Sequence, residues 1–238
     1  MKLTRRLIFG GIAGALLFTS GAIAEVQMTL TGVGTGSVMG GVYISPYVAS
    51  IGGVPTYVIC DDFTTDVWVG DTWEANEYSL SDVGSSGPQK FTTPDWYYYT
   101  TQPVYYTIQQ EYDAAALLAE EVMANMWNPT LAGEYSYALW TLFEPAAING
   151  YGGNPLTSAQ QTAVNTLRTE ALANAFNGAA SGLNLSIYTP AKGYTSQEFL
   201  VVSTPEASLG ATLAIELSAL VGVILLMRRR LVRRGAAQ

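Results

Sequence analysis

Two long apolar segments, one at each end of the chain, most constrain what this sequence can fold into. The C-terminal segment, Leu209 to Met227, is apolar apart from Glu216 and a few small residues. About 19 residues at a helical rise of 1.5 Å reach close to 30 Å, the thickness of a membrane's hydrocarbon core. Arg228, Arg229 and Arg230 follow directly, and such clusters stay on the cytoplasmic side. The pattern predicts a transmembrane helix over 209–227, with the chain before residue 204 outside the cytoplasm.

The N-terminal segment has the three parts of a secretory signal peptide. Lys2, Arg5 and Arg6 precede an apolar stretch, and Ala22 and Ala24 then form a small-x-small cleavage site. The sequence therefore predicts that residues 1–24 are a signal peptide removed by signal peptidase after the secretion machinery has engaged it. The paired arginines leave both the general and the twin-arginine export route open.

The segment 204–238 combines Pro205, Glu206 and Ala207 with the apolar span and the arginine cluster. In this order and at this end of the chain, these parts resemble the PEP-CTERM sorting signal of bacterial surface proteins. Ala207 stands where that signal has a second proline. The resemblance implies recognition by exosortase, a membrane-embedded cysteine protease, and a final location at the cell surface or in an extracellular polysaccharide matrix. Glu216 has two interpretations: an acid that meets a partner inside the membrane, or a tolerated acid in a disposable anchor.

The region between the two segments, 25–203, is long enough for one domain with a substantial core. It carries 3 basic and 17 acidic residues, a difference of −14. This charge argues against nucleic acid or anionic lipid as a partner and is compatible with binding of cations, or of basic or neutral polymers. One cysteine excludes an intramolecular disulfide, and the absence of histidine excludes His-based zinc sites and His-dependent nucleophilic catalysis.

The apolar periodicity predicts an α+β fold. Alternating residues predict strands from Val26 to about Leu80, and a Thr–x–x–Gln capping box at Thr107 begins a helical block of about three helices. Late strands, near 183–188 and 198–202, are expected to return to the N-terminal sheet. The prediction is an antiparallel β-rich domain with an inserted helical block, followed by the C-terminal transmembrane helix.

Two stretches are candidate binding sites. Asp61, Asp62 and Asp66 follow a buried strand and are expected to emerge into water, where they form either a calcium site or a solvated strand end. Trp96, Tyr97, Tyr98 and Tyr99 form an aromatic run that either stacks on a ligand or packs in the core. No metal is predicted firmly.

A strand with the lone Cys60, followed much later by a helix that ends Ala138-Leu139-Trp140, is similar to the thioester adhesin domains of Gram-positive surface proteins. Those domains pair the cysteine with a glutamine in a Thr-Gln-x-Ala-(Ile/Leu)-Trp motif. Here Tyr135-Ser136 occupies the Thr-Gln positions, so the resemblance implies a shared fold without the acyl partner of the thioester. Cys60 is accordingly interpreted as a buried strand thiol.

The sequence predicts an exported, membrane-anchored or exosortase-processed surface or matrix protein with no catalytic residues. A first alternative is a carbohydrate-binding or adhesive domain that uses its Tyr- and Trp-rich loops. A second is a glycosidase, because two carboxylates between aromatic walls suffice for that reaction.

Overall fold

The computed structural model describes residues 25–203 except for 85, 86, 88, 94–96, 100, 101 and 105, and the backbone alone for 97–99 and 102–104. The predicted signal peptide and the predicted sorting segment, with its transmembrane helix, lie outside these residues. Within them, no helix is both long and apolar enough to cross a membrane.

A closed antiparallel barrel of six strands forms one half of the fold. Its strands follow the order β1-β4-β5-β10-β9-β6, and two short hairpins, β2–β3 and β7–β8, lie outside it. The strands are β1 Glu25–Gly32, β2 Val38–Met39, β3 Val42–Tyr43, β4 Tyr47–Ile51, β5 Val54–Cys60, β6 Thr72–Ser79, β7 Tyr97–Tyr99, β8 Gln102–Val104, β9 Leu185–Pro190 and β10 Phe199–Val202. The late strands β9 and β10 close the barrel between β5 and β6. The expected return of the C-terminal strands to the sheet is therefore confirmed.

Three helices, inserted between β8 and β9, form the other half. They are α1 Ile108–Ala124, α2 Pro129–Phe143 and α3 Ser158–Phe176, with 3-10 turns at Leu80–Asp82 and Pro145–Asn149. The capping box predicted at Thr107 is present, since its hydroxyl accepts from the Gln110 backbone and the Gln110 side chain accepts from the Thr107 N–H. The α+β class is confirmed.

The second helix begins earlier than the sequence indicated. The sequence pattern predicts a helix from Glu134 to Phe143 and the end of the preceding helix at Pro129, but α2 begins at Pro129. The Asn128 side chain accepts a hydrogen bond from Leu131 N at 3.3 Å, and proline suits the first helical position because its missing N–H is not needed there. One Asn-Pro step therefore follows one helix and opens the next.

Strand β5 ends between two hydrophobic cores. Cys60 belongs to the barrel interior with Met28, Trp73 and Phe199, whereas Ile59 belongs to the larger core shared with the helices. This explains why the strand's C-terminal residues are apolar on both faces. Burial of each large apolar side chain contributes roughly 1.5–3 kcal/mol, so packing holds this disulfide-free domain together.

Candidate functional site

An open groove of about 600 Å³ lies where the barrel meets the helices. This volume falls within the range typical of small-molecule sites. Its polar lining comes from Asp62, Asp66 and Gln197. Its aromatic lining comes from Tyr43, Tyr47, Phe63, Trp68, Trp140 and Tyr151.

The β2–β3 hairpin forms one wall of the groove and is fixed from behind. The Tyr137 hydroxyl of α2 donates to the carbonyls of Met39 and Gly40, at 3.1 and 3.2 Å. Tyr151 N donates to the Gly40 carbonyl at 2.8 Å. At Gly41, with φ of +88°, an added Cβ would lie 2.5 Å from the Tyr151 carbonyl oxygen. Glycine at this position therefore permits the close approach of the two loops.

Tyr151 lies at the rim of that wall with 47% of its surface exposed. Its ring meets the Phe63 ring edge-on, with centroids 6.3 Å apart and an interplanar angle of 82°. Phe63 in turn contacts Trp140, with centroids 5.3 Å apart. The exposed ring is thus held by a chain of aromatic contacts that continues into the core.

Trp68 also lines the groove, with 72% of its surface exposed. Its backbone is fixed by a tight turn: Trp68 N donates to Asp71 Oδ2 at 2.8 Å, and Asp71 N donates back to the Trp68 carbonyl at 2.9 Å. Gly70 N donates to the carbonyl of Leu30 in β1 at 2.8 Å, and this hydrogen bond connects the turn to the barrel. The backbone that carries this exposed side chain is therefore ordered.

Asp62 lines the groove, and each of its oxygens accepts a hydrogen bond or forms an ion pair. Oδ1 accepts from Thr65 N at 3.1 Å, and Oδ2 forms an ion pair with the Lys90 ammonium. Its carbonyl accepts from Gln197 Nε2 at 3.0 Å. The side chain has no exposed surface, whereas Asp66 is exposed. Asp66 is therefore the carboxylate that the groove presents to solvent.

Glu144, which the sequence did not single out, anchors the loop that carries these aspartates. Its carboxylate accepts from the backbone N–H groups of Phe63 and Thr64 and from the Thr64 hydroxyl. Burial raises the pKa of Glu144, although the hydrogen bonds from Thr64 act in the opposite direction. The residue connects the C-terminal end of α2 to the β5–β6 loop.

Asp61 and Glu198 form an acid pair buried behind the groove. Glu198 accepts from the hydroxyls of Tyr112 and Thr189 and, at 2.7 Å, from Lys90 N. The Asp61 oxygens receive no hydrogen bond from a donor of another residue. Burial, followed by the neighbouring Glu198, raises the pKa of Asp61 well above its ordinary value. This environment favours the protonated form of Asp61.

Cys60 lies next to Trp140, the tryptophan of the Ala-Leu-Trp motif. The thiol is 1% exposed and donates to the Asp62 carbonyl at 3.0 Å. Burial raises the pKa of Cys60 well above its ordinary value, and Asp62 and Asp61 add to the effect. On the same helix, the Ser136 hydroxyl donates to the Ala132 carbonyl at 2.7 Å. Cys60 is confirmed as a buried strand thiol.

The expectation that the aspartate pair emerges into water is wrong. Asp61 and Asp62 have no exposed surface, because the helices cover this end of the barrel. The described part of the chain contains no group of three or more Cys, Asp or Glu residues placed to hold a metal ion. Calcium binding by Asp61, Asp62 and Asp66 stays a prediction.

The aromatic run predicted for ligand stacking is described only in part. Trp96 lies outside the described residues, and Tyr97–Tyr99 form β7, paired with β8. Their role in stacking stays a prediction. The exposed aromatic residues of the groove, Tyr43, Trp68 and Tyr151, are single residues that no local sequence signal distinguished.

No family model matches this chain, and no curated protein matches it. Among solved structures it is similar to the N-terminal thioester domain of the fibronectin-binding protein SfbI from Streptococcus pyogenes. The two are 10% identical, with a TM-score of 0.43 and coverage of 76% of this chain and 94% of that one.

Proposed function

We propose that this chain is an exported bacterial surface or matrix protein whose domain 25–203 binds carbohydrate without catalysis. The observation that carries the binding proposal is the set of exposed aromatic residues around the groove: Tyr43, Trp68 and Tyr151. The export half rests on the leader over 1–24 and the sorting segment over 204–238.

The geometry of the rim suits sugar rings. Aromatic side chains supply rigid, amphipathic contact area, and their faces stack on the apolar C–H face of a pyranose. The Tyr151 ring is held by its contact with Phe63, and the backbone that carries Trp68 is fixed by the turn, which lowers the ordering cost on binding. Exopolysaccharide is the partner that a matrix location would supply.

A glycosidase is the second candidate, because Asp62 and Asp66 both line an aromatic-walled groove. Hydrolysis by the usual mechanism requires two carboxylates, one of them an acid that protonates the leaving oxygen. Asp62 is fully buried and paired with Lys90. Only Asp66 then faces the ligand, which favours binding over turnover.

The binding test uses a matched pair of tryptophan variants. Trp68→Ala is expected to weaken binding to a panel of soluble oligosaccharides by about tenfold or more, as for a central aromatic contact. Trp127→Ala, which removes a similarly exposed ring (79%) away from the groove, is the control and should bind as wild type. Equal affinities for both variants would overturn the assignment, and release of new reducing ends would replace it with the glycosidase.

The export proposal is tested on the protein isolated from its native host. Mass spectrometry is expected to find an N-terminus at Glu25 and, after exosortase processing, a C-terminus near Glu206. A chain that ends at Gln238 would contradict processing, and one that begins at Met1 would contradict export.

A further inference from the structure

We propose that the groove selects glycans that carry free amino groups, such as polymers of partly N-deacetylated amino sugars, over neutral and acidic glycans. This inference rests on the proposed carbohydrate binding and adds the ligand's charge. Two independent features of the groove, its carboxylates and its aromatic faces, both favour an ammonium group.

The first feature is the charge of the lining. Asp62 and Asp66 line the groove, and no lysine or arginine does. Lys90 neutralises Asp62 from behind. No salt bridge to Asp66 is found among the described residues. The exposed carboxylate therefore gives the groove a net negative charge that a ligand ammonium would complement.

The second feature is the aromatic rim. The face of an aromatic ring carries the negative part of its quadrupole, so it attracts cations and disfavours anions. Tyr43 and Tyr151 expose about half of their surface, and Trp68 exposes 72%. An amino sugar can place its ring face and its ammonium against these side chains together, which a neutral sugar cannot do.

The charge of the whole domain acts in the same direction. Its 17 acidic residues against 3 basic ones create a negative potential that attracts polycations and repels uronic-acid or phosphate polymers. A lysine-rich peptide shares this attraction. It gains less at the groove, because a single exposed carboxylate cannot pair with successive lysines, whereas each pyranose brings an apolar face for the aromatic rim.

The test compares three oligosaccharides of equal length by calorimetry on the domain. These are a glucosamine oligomer, its fully N-acetylated counterpart and a uronic-acid oligomer. We expect the glucosamine oligomer to bind roughly 2–5-fold tighter than the acetylated one, with a preference that shrinks as salt rises, and the uronic-acid oligomer not to bind. Equal binding of the first two would overturn the inference and leave carbohydrate binding intact. Binding of none would overturn the carbohydrate proposal itself.

Asp66→Asn and its control separate the groove from the global charge. Asp66→Asn should remove the preference, measured as the ratio of the affinities for the glucosamine oligomer and the acetylated oligomer. Glu120→Gln, which removes one exposed carboxylate on α1, should leave the preference in place. The same loss in both variants would assign the preference to net charge and overturn the inference. Oligolysine that competes as well as a glucosamine oligomer of equal charge would also overturn it.

Discussion

The carboxylates on and around the β5–β6 loop lie in two opposite environments, one exposed to solvent and one buried. On the open side, Asp66 is exposed in a groove bordered by exposed aromatic rings. On the closed side, Asp61 faces Glu198 with no exposed surface. Asp62 lies between them, buried but paired with Lys90. Position in sequence therefore says little about the solvation of a carboxylate, and only the open side is placed to bind a ligand.

The largest effect on the closed side is expected from Glu198→Ala. The substitution leaves the Tyr112 hydroxyl, the Thr189 hydroxyl and Lys90 N without their acceptor inside the protein. We expect it to lower the free energy of unfolding by about 3–5 kcal/mol, measured by denaturant titration. Glu120→Ala, an exposed control, should change it by less than about 0.5 kcal/mol. Similar losses of unfolding free energy in the two variants would show that the buried Glu198 stabilises the fold no more than an exposed carboxylate does.

On the open side, Gly41→Ala is expected to displace the β2–β3 hairpin that lines the groove. Gly41 and Gly53 have nearly equal φ, +88° and +89°, but an added Cβ meets the Tyr151 carbonyl at Gly41 and nothing within 4 Å at Gly53. Both alanine variants incur the cost of the left-handed region. Gly41→Ala should lose about 1–3 kcal/mol more in thermal unfolding because of the clash. Equal losses would show that the two loops do not meet.

The acid pair also predicts a pH dependence of stability. Asp61 has a raised pKa in the folded protein, so the folded state binds its proton more tightly than the unfolded state does. Its contribution is present below the ordinary aspartate pKa near 3.8 and is lost as pH rises toward the raised folded pKa. Wild-type stability should fall by up to about 1.4 kcal/mol per pH unit in this window, relative to Asp61→Asn. Parallel pH profiles for the two proteins would contradict a protonated Asp61.

The smallest expected effect concerns Tyr151 at the rim. Tyr151→Ala should weaken oligosaccharide binding about fivefold, in line with the roughly 1 kcal/mol of one aromatic contact. Tyr194, equally exposed at 47% but away from the groove, supplies the control Tyr194→Ala. Equal affinities of the two variants in calorimetry would show that the Tyr151 ring does not contribute to binding.

Local signals accounted for much of the fold. The hydrogen-bond partners of the capping box at Thr107 lie three residues apart, so the sequence alone shows them. The alternation from Val26 to Leu30 likewise predicted a strand, and in β1 Met28 and Leu30 are the buried residues. The start of α2 was missed because an Asn-Pro step is compatible with either end of a helix.

The groove could not be predicted, because its parts are distant in sequence. The hydrogen bond from Gln197 to Asp62 joins residues 135 positions apart. Single aromatic residues such as Tyr43 and Trp68 carry no local sign that they are exposed, whereas the dense run at 96–99 attracted the prediction. The solvent exposure of Asp61 and Asp62 was predicted wrongly for the same reason, because the helices that cover Asp61 lie far downstream in the sequence.

The enclosure of Cys60 protects its thiol from oxidants and alkylating reagents. Disulfide exchange and alkylation require a thiolate that a reagent can reach. Here the sulfur is 1% exposed, and its raised pKa keeps it protonated. Copies of the chain should therefore stay free of intermolecular cross-links while folded. The rate at which a maleimide labels this thiol should therefore measure how often the barrel opens.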